Sequence, residues 1–89
     1  MRQTFILYND TQLKVLLRMK KLGFISIVDA RYYEHKDTKE FMFNIVSVKG
    51  SKNVMRILEG VVELFNPREG ISCEALMNNR FEITDIKDL

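Results

Sequence analysis

The sequence predicts an α+β fold from the pattern of its apolar side chains. Stretches in which every second residue lies on the same face, as in a strand, are interrupted twice by stretches in which apolar residues recur every three or four positions, as in a helix. Turn-forming residues separate these stretches, so the predicted order is strand, helix, strand, strand, helix, strand. A chain of 89 residues is long enough for one compact domain and too short for two. We therefore expect a single domain over residues 1–89, with a core over about 4–77 and a C-terminal extension over 78–89.

The first strand is predicted at residues 4–8, which are rich in β-forming side chains. A helix should follow, because Asn9 is a favourable N-cap and Gln12 stands where a capping box has its returning side chain. Gly23 is expected to end this helix in the left-handed conformation after a cationic last turn. The apolar positions of the helix form two neighbouring rows: Leu13, Leu16 and Leu17, and Val15, Met19 and Leu22.

The second strand begins after Phe24, where the period changes to two. Strict alternation predicts one face with Ile25, Ile27, Asp29, Arg31 and Tyr33, and the other with Ser26, Val28, Ala30 and Tyr32. Polar residues 34–39 indicate a hairpin connection, and residues 40–48 resume strand chemistry. In this third strand, the alternating sets are Phe41, Phe43 and Ile45 against Met42, Asn44 and Val46.

The second helix should be capped by Ser51 and end at Asn66-Pro67, because a residue before proline is disfavoured in the α conformation. Its apolar positions are Val54, Ile57, Leu58, Val61, Val62, Leu64 and Phe65. Gly60 lies inside it at a cost of roughly 1 kcal/mol relative to Ala, which indicates close packing there. Residues 71–77 predict a fourth strand, and residues 81–86 either a short fifth strand or an ordered tail.

Right-handed crossovers of the two strand–helix–strand halves give a ferredoxin-like βαββαβ sandwich, an antiparallel four-stranded sheet with two helices on one face. Such a sheet normally has a polar second face. In the first and third strands, however, both alternating sets of residues include large apolar side chains, so apolar residues are expected on both faces of the sheet. Burial of apolar surface contributes roughly 25 cal/mol per Å² to the free energy of folding or association, so leaving these side chains in water would lose several kcal/mol. We therefore expect self-association through the uncovered face, although small sheets also tolerate scattered apolar residues.

Composition argues against several classes of function. The net charge is only +2, with no basic stripe of the kind that nucleic-acid binders present, and no aromatic RNA-recognition signature surrounds Phe41 and Phe43. No run of about 18 apolar residues is present, so we expect no membrane span. Cys73 is the single cysteine, which excludes an intramolecular disulfide and favours the cytoplasm.

No catalytic or metal-binding set emerges from the sequence, and we expect neither an enzyme nor a metal site. His35 is the single histidine and lies in the polar hairpin, and no histidine or second cysteine stands near Cys73. The segment 65–71 offers the best ligand candidate, because the amide of Gly70 could approach an anion beside the charge of Arg68. The same residues also fit a plain helix stop and strand start.

Features spread over residues 4–77 carry a family resemblance. They are an initial short strand, then a helix end, glycine and second strand at residues 19–31, and a second helix that ends in Asn66-Pro67-Arg68-Glu69-Gly70-Ile71-Ser72. With them the chain resembles the PII-like signalling proteins, relatives of the nitrogen-regulatory PII family. The resemblance implies a cytoplasmic homotrimer whose sheets face the centre, with small effectors, often adenine nucleotides, in clefts between subunits. By position it places Asp29, Ala30 and Arg31 at the base of the signalling loop, and Arg68 and Gly70 in the loop after the second helix.

The chain departs from that family at two places. Its signalling loop is cut to about residues 34–39, and the second-helix loop lacks the Gly-Asp-Gly-Lys-like run that holds nucleotide phosphates. We therefore do not expect this chain to share the ATP binding and nitrogen sensing of the PII family. The expectation is a non-enzymatic, effector-binding homotrimer with an unknown ligand or cofactor, a possible protein target, and four ligand-binding candidates: Asp29, Arg31, Arg68 and Gly70.

Three alternatives remain open from the sequence. The first is a structural or protein-interaction module of the same assembly that binds no small molecule. The second is a trimer of the divalent-cation tolerance type, for which the single His35 supplies few metal-binding side chains. The third is a dimeric ACT-like amino-acid sensor.

Overall fold

A computed structural model describes residues 1–37, 42–64 and 81–89. Along these residues the elements are β1 (Arg2–Leu7), α1 (Asp10–Lys21), β2 (Ile25–His35), β3 (Met42–Gly50), α2 (Lys52–Leu64) and β4 (Phe81–Asp85). The strands form one antiparallel sheet in the order β1-β3-β2-β4. Both helices pack against one face of it, which confirms the α+β prediction and is compatible with a ferredoxin-like fold.

The C-terminal residues form an edge of this sheet. Residues 81–86 were predicted as a strand or a tail, and β4 is a strand that pairs with β2. Beyond it, the backbone N–H of Ile86 donates to the carbonyl of Ala30 at 2.8 Å, and Ile86 and Leu89 pack against the core on the helix side. The predicted strand at 71–77 and the predicted helix end at Asn66-Pro67 lie outside the described residues.

A β-bulge at Val28 reverses the facing of β2. Ile27 pairs with Val48, and the next pair is Asp29 with Ser47. Val28 is therefore an extra residue in β2 that has no paired residue in β3. One inserted residue moves every later side chain to the other face. The predicted alternation is therefore wrong beyond Ile27: Ala30 joins the helix-side core, whereas Asp29, Arg31 and Tyr33 lie on the opposite face.

Both ends of α1 follow the local signals. The side-chain oxygen of Asn9 accepts from the backbone N–H of Gln12 at 2.9 Å, as an N-cap does. At the other end Gly23 has φ of +84°, and the N–H groups of Gly23 and Phe24 donate to the carbonyls of Lys20 and Met19, both at 3.0 Å. This is a Schellman motif, and it confirms the predicted stop.

Gln12 does not complete the predicted capping box. Its side-chain oxygen accepts from the N–H of Tyr8 at 2.6 Å instead of from that of Asn9, and its amide nitrogen donates to the carbonyl of Val62 at 2.8 Å. The residue is fully buried. Because a buried amide needs partners on both sides, this side chain ties the end of β1 to α1 and α2.

The helix α2 begins as predicted, with the hydroxyl of Ser51 accepting from the N–H of Val54 at 3.2 Å. Its buried residues are Met55, Leu58 and Val62. Two residues of the predicted apolar set, Ile57 and Leu64, are instead exposed. The close packing expected at Gly60 is not found among the described residues, because a methyl group there would meet none of their atoms within 4 Å. The close approach occurs at Gly50, where a Cβ would lie 2.8 Å from the Met55 Cε atom.

Candidate functional site

The face of the sheet opposite the helices, here called the open face, carries a second apolar cluster. Its four rings form the open-face aromatic layer: Tyr8, Tyr33, Phe43 and Phe81. Phe43 is at the centre, stacked on Tyr33 with ring centroids 4.8 Å apart and meeting Phe81 edge-on at 5.3 Å. Both contacts have geometries that aromatic pairs favour. The layer confirms that apolar side chains occupy both faces.

The centre of this layer is less exposed than the sequence suggested. Phe43 and Tyr33 are only 1% and 5% exposed in the single chain. The rings cover one another because β2, β3 and β4 each contribute one ring and the residue after β1 contributes the fourth. Exposed apolar surface on this face lies instead toward the edge, at Ile83, which pairs with Tyr33 and is 56% exposed.

Polar residues occupy the other end of the open face. The hydroxyls of Thr4 and Ser47 are hydrogen-bonded to each other at 2.8 Å across β1 and β3. Beside them, the Nε of Arg31 lies 3.4 Å from a carboxylate oxygen of Asp29 and 3.7 Å from one of Asp85. These ion pairs are about half exposed, so each contributes little to stability. The open face thus has an aromatic end and a polar end.

The structure brings together two of the four predicted ligand residues. Asp29 and Arg31 pair with each other, and the structure adds Asp85 to them, a residue that sequence reasoning missed. Asp29 and Asp85 also line a cleft of about 320 Å³ between the bulge and the C-terminal residues. In the described part of the chain, no three His, Cys, Asp or Glu side chains come together as metal ligands. Arg68 and Gly70 lie outside the described residues.

A larger cleft, here called the hairpin-end cleft, lies on the helix side of the sheet where β1 ends and α1 begins. Its volume is about 450 Å³, and its described lining residues are Leu7, Tyr8, Asn9, Asp10, Tyr32, Met42 and Asn44. Leu7, Asn44 and Tyr32 pair in one row across β1, β3 and β2, so their side chains share a face. Met42 is two residues from Asn44 on β3 and continues the same face.

Among the described residues that line this cleft, Tyr32 has a shifted side-chain pKa. Burial raises the pKa of the Tyr32 hydroxyl above its usual value near 10, and the negative charge of Glu34 raises it further. The phenol is therefore protonated at neutral pH. It can donate a hydrogen bond, and its ring remains a neutral apolar wall.

Sequence reasoning missed the hairpin-end cleft because its walls come from separate segments. In the sequence, Tyr32 and Asn44 are alternating strand positions, and Asp10 follows the N-cap residue of the first helix. Their convergence depends on the pairing register of β2 and β3, which the bulge at Val28 sets.

Comparisons with known proteins add no assignment: no family model, curated protein or solved structure matches the chain. Neither helix within residues 1–37, 42–64 and 81–89 has the length and apolar character that crossing a membrane requires. The functional inference therefore depends on three features of the molecule: the open-face aromatic layer, the paired charges around Arg31, and the hairpin-end cleft.

Proposed function

We propose that this chain is a non-enzymatic regulatory protein of the PII-like type that forms a homotrimer through the open face and binds a small effector in clefts beside it. The cytoplasm is the proposed location, in keeping with the single cysteine of the sequence. The observation that carries the proposal is the open-face aromatic layer, which gives a four-stranded sheet a second apolar face.

An antiparallel sheet with helices on one side usually presents polar side chains to water on the other. Here the second face has apolar residues at one end and paired charges and hydroxyls at the other. Protein interfaces combine apolar and polar surface, so a face that carries both is suited to association. Ile83 adds an exposed apolar side chain at the margin of the aromatic end. These features support burial of the open face against further copies of the chain.

Tyr8 supports the effector part of the proposal, because it belongs to two features at once. It lines the hairpin-end cleft, and its ring centroid lies 6.3 Å from that of Phe43 in the aromatic layer. A molecule in the cleft therefore lies next to a residue whose ring belongs to the proposed assembly surface. Such a shared residue is a direct physical link between effector binding and assembly.

A second candidate is a protein-interaction module of the same fold without a small-molecule ligand. The pairing of Arg31 with Asp29 and Asp85 favours it, because these charges already satisfy one another. A ligand that used the Nε of Arg31 would compete with two carboxylates. The two candidates share the assembly and differ in the response to small molecules.

The test of assembly is a pair of matched substitutions, Ile83→Lys on the open face and Ile57→Lys on α2. The two isoleucines are 56% and 59% exposed, so a lysine is tolerated equally well at both in a single chain. We expect light scattering to show a trimer for the wild type and Ile57→Lys, and a smaller species for Ile83→Lys. Equal masses for the two variants would contradict assembly through the open face.

A further inference from the structure

The hairpin-end cleft has the size and lining of a small-ligand site. Its volume of about 450 Å³ falls within the range of roughly 300–1,000 Å³ typical of ligand pockets. Its lining combines the aromatic residue Tyr32 and the apolar residue Met42 with two polar residues, Asn44 and Asp10, and Tyr8 also borders it. A few polar groups among apolar walls is the composition that orients and holds a small molecule.

The electrostatic character of the cleft is negative. Asp10 is the one charged side chain among the described lining residues, and no Lys or Arg is present among them. A second carboxylate, Glu34, acts on the cleft through Tyr32, whose ionisation it disfavours. Two carboxylates without a described basic partner in the lining favour a positively charged occupant.

The beginning of α1 does not reverse this preference. A helix N-terminus attracts anions through its unpaired N–H groups and its dipole. Here the side chain of Asn9 already accepts from the N–H of Gln12, and Asp10 places a carboxylate in the first turn. The chain thus supplies its own negative groups at this position, and an incoming anion would meet Asp10.

The aromatic residue Tyr32 specifies the kind of cation. Tyrosine faces attract organic cations through the ring quadrupole, within about 6 Å of the ring centre. A protonated phenol at Tyr32 keeps that wall neutral, and Met42, half exposed beside it, offers a polarisable apolar contact. The carboxamide oxygen of Asn44 can accept from an N–H group. A bare metal ion would gain little from rings and a thioether, whereas an alkylammonium or guanidinium group uses every wall.

We propose that the hairpin-end cleft binds a small organic cation, an alkylammonium or a guanidinium, held against the ring of Tyr32 with its charge toward Asp10. This names the chemical class of the effector, so it rests on the effector part of the proposed function. It does not depend on the trimer, because every described lining residue belongs to one chain.

Isothermal titration calorimetry with chosen probes tests the class of ligand. Agmatine and 1,4-diaminobutane supply the guanidinium and ammonium groups, 1,4-butanediol is the uncharged analogue of the diamine, and inorganic phosphate is the anion. We expect at least one of the two cations to bind, and both butanediol and phosphate to give no saturable heat. Binding of butanediol as tight as that of the diamine, tighter binding of phosphate, or no binding of either cation would overturn the proposal.

Two matched variants place the binding in this cleft. Asp10→Asn removes the charge from the lining, and Asp88→Asn removes one exposed charge outside it. A lost hydrogen bond to a charged group corresponds to about a tenfold weaker binding, which we expect for Asp10→Asn and not for Asp88→Asn. Equal affinities for the two variants would refute this location. Light scattering on the same samples separates a failure of cation binding from a failure of assembly.

Discussion

The two faces of the sheet bury apolar side chains by different means. On the helix side, residues of α1 and α2 lie over three strands and form one continuous core. On the open face, no described helix covers the strands, and four rings, three from β2, β3 and β4 and one from the residue after β1, pack on one another. The first arrangement completes a domain, because layers of secondary structure enclose it. The second leaves an apolar margin at Ile83, and a surface of this kind is suited to a partner.

The largest expected loss of stability comes from removing the central ring of the open-face aromatic layer, and it tests whether that layer stabilises the single chain as a hydrophobic core does. Phe43→Ala removes a ring that is 1% exposed and contacts three others. We expect the free energy of unfolding to fall by about 3–5 kcal/mol, the usual loss for a buried Phe. Chemical denaturation measures it, with Leu58→Ala as the helix-side counterpart at about 2–5 kcal/mol. A loss below about 1 kcal/mol for Phe43→Ala would mean that its burial contributes little.

On the helix side, removing the buried side-chain amide of Gln12 should reduce the free energy of unfolding almost as much. Gln12→Ala leaves the N–H of Tyr8 and the carbonyl of Val62 without their partner. We expect a loss of about 2–4 kcal/mol, because each buried unsatisfied group costs about 1–3 kcal/mol. Thermal unfolding measures it, and Gln3→Ala, at a half-buried position, is the control with an expected change within about 0.5 kcal/mol. Equal losses for both glutamines would contradict the role given to Gln12.

The smallest expected effects come from two glycines near or within α2. Gly60→Ala adds a methyl group in open space within a helix, so we expect a gain of about 0.5–1 kcal/mol. Gly50→Ala places a methyl group 2.8 Å from Met55 and 3.1 Å from Ile25, and we expect a loss of about 1–3 kcal/mol. Denaturant midpoints measure both. The same sign for both substitutions would show that packing does not distinguish the two positions.

The parts of the fold that the sequence predicts are those with local causes. Asn9, Gly23 and Ser51 act within a few residues of their own positions, so the ends of the helices follow from the sequence directly. The order of the elements also follows, because changes in period are visible along the chain. No separate long-range information is needed for either.

The missed features depend on contacts between distant segments. The bulge at Val28 is defined by pairing with β3, and no glycine or proline marks it in the sequence. Gln12 finds a partner in Val62, 50 residues away, and periodicity does not reveal that contact. The apolar Ile57 and Leu64 fit the helical spacing but lie on the exposed side of α2. For the same reason the hairpin-end cleft became visible only once the strand register was known.

Sedimentation equilibrium of the wild-type protein at micromolar concentration tests the central claim most directly. If the second apolar face is where copies of the chain meet, the measured mass will be three times the 10.5 kDa of one chain. A mass of 10.5 kDa across the concentration range would show that the four rings complete a monomer and would contradict the proposed assembly.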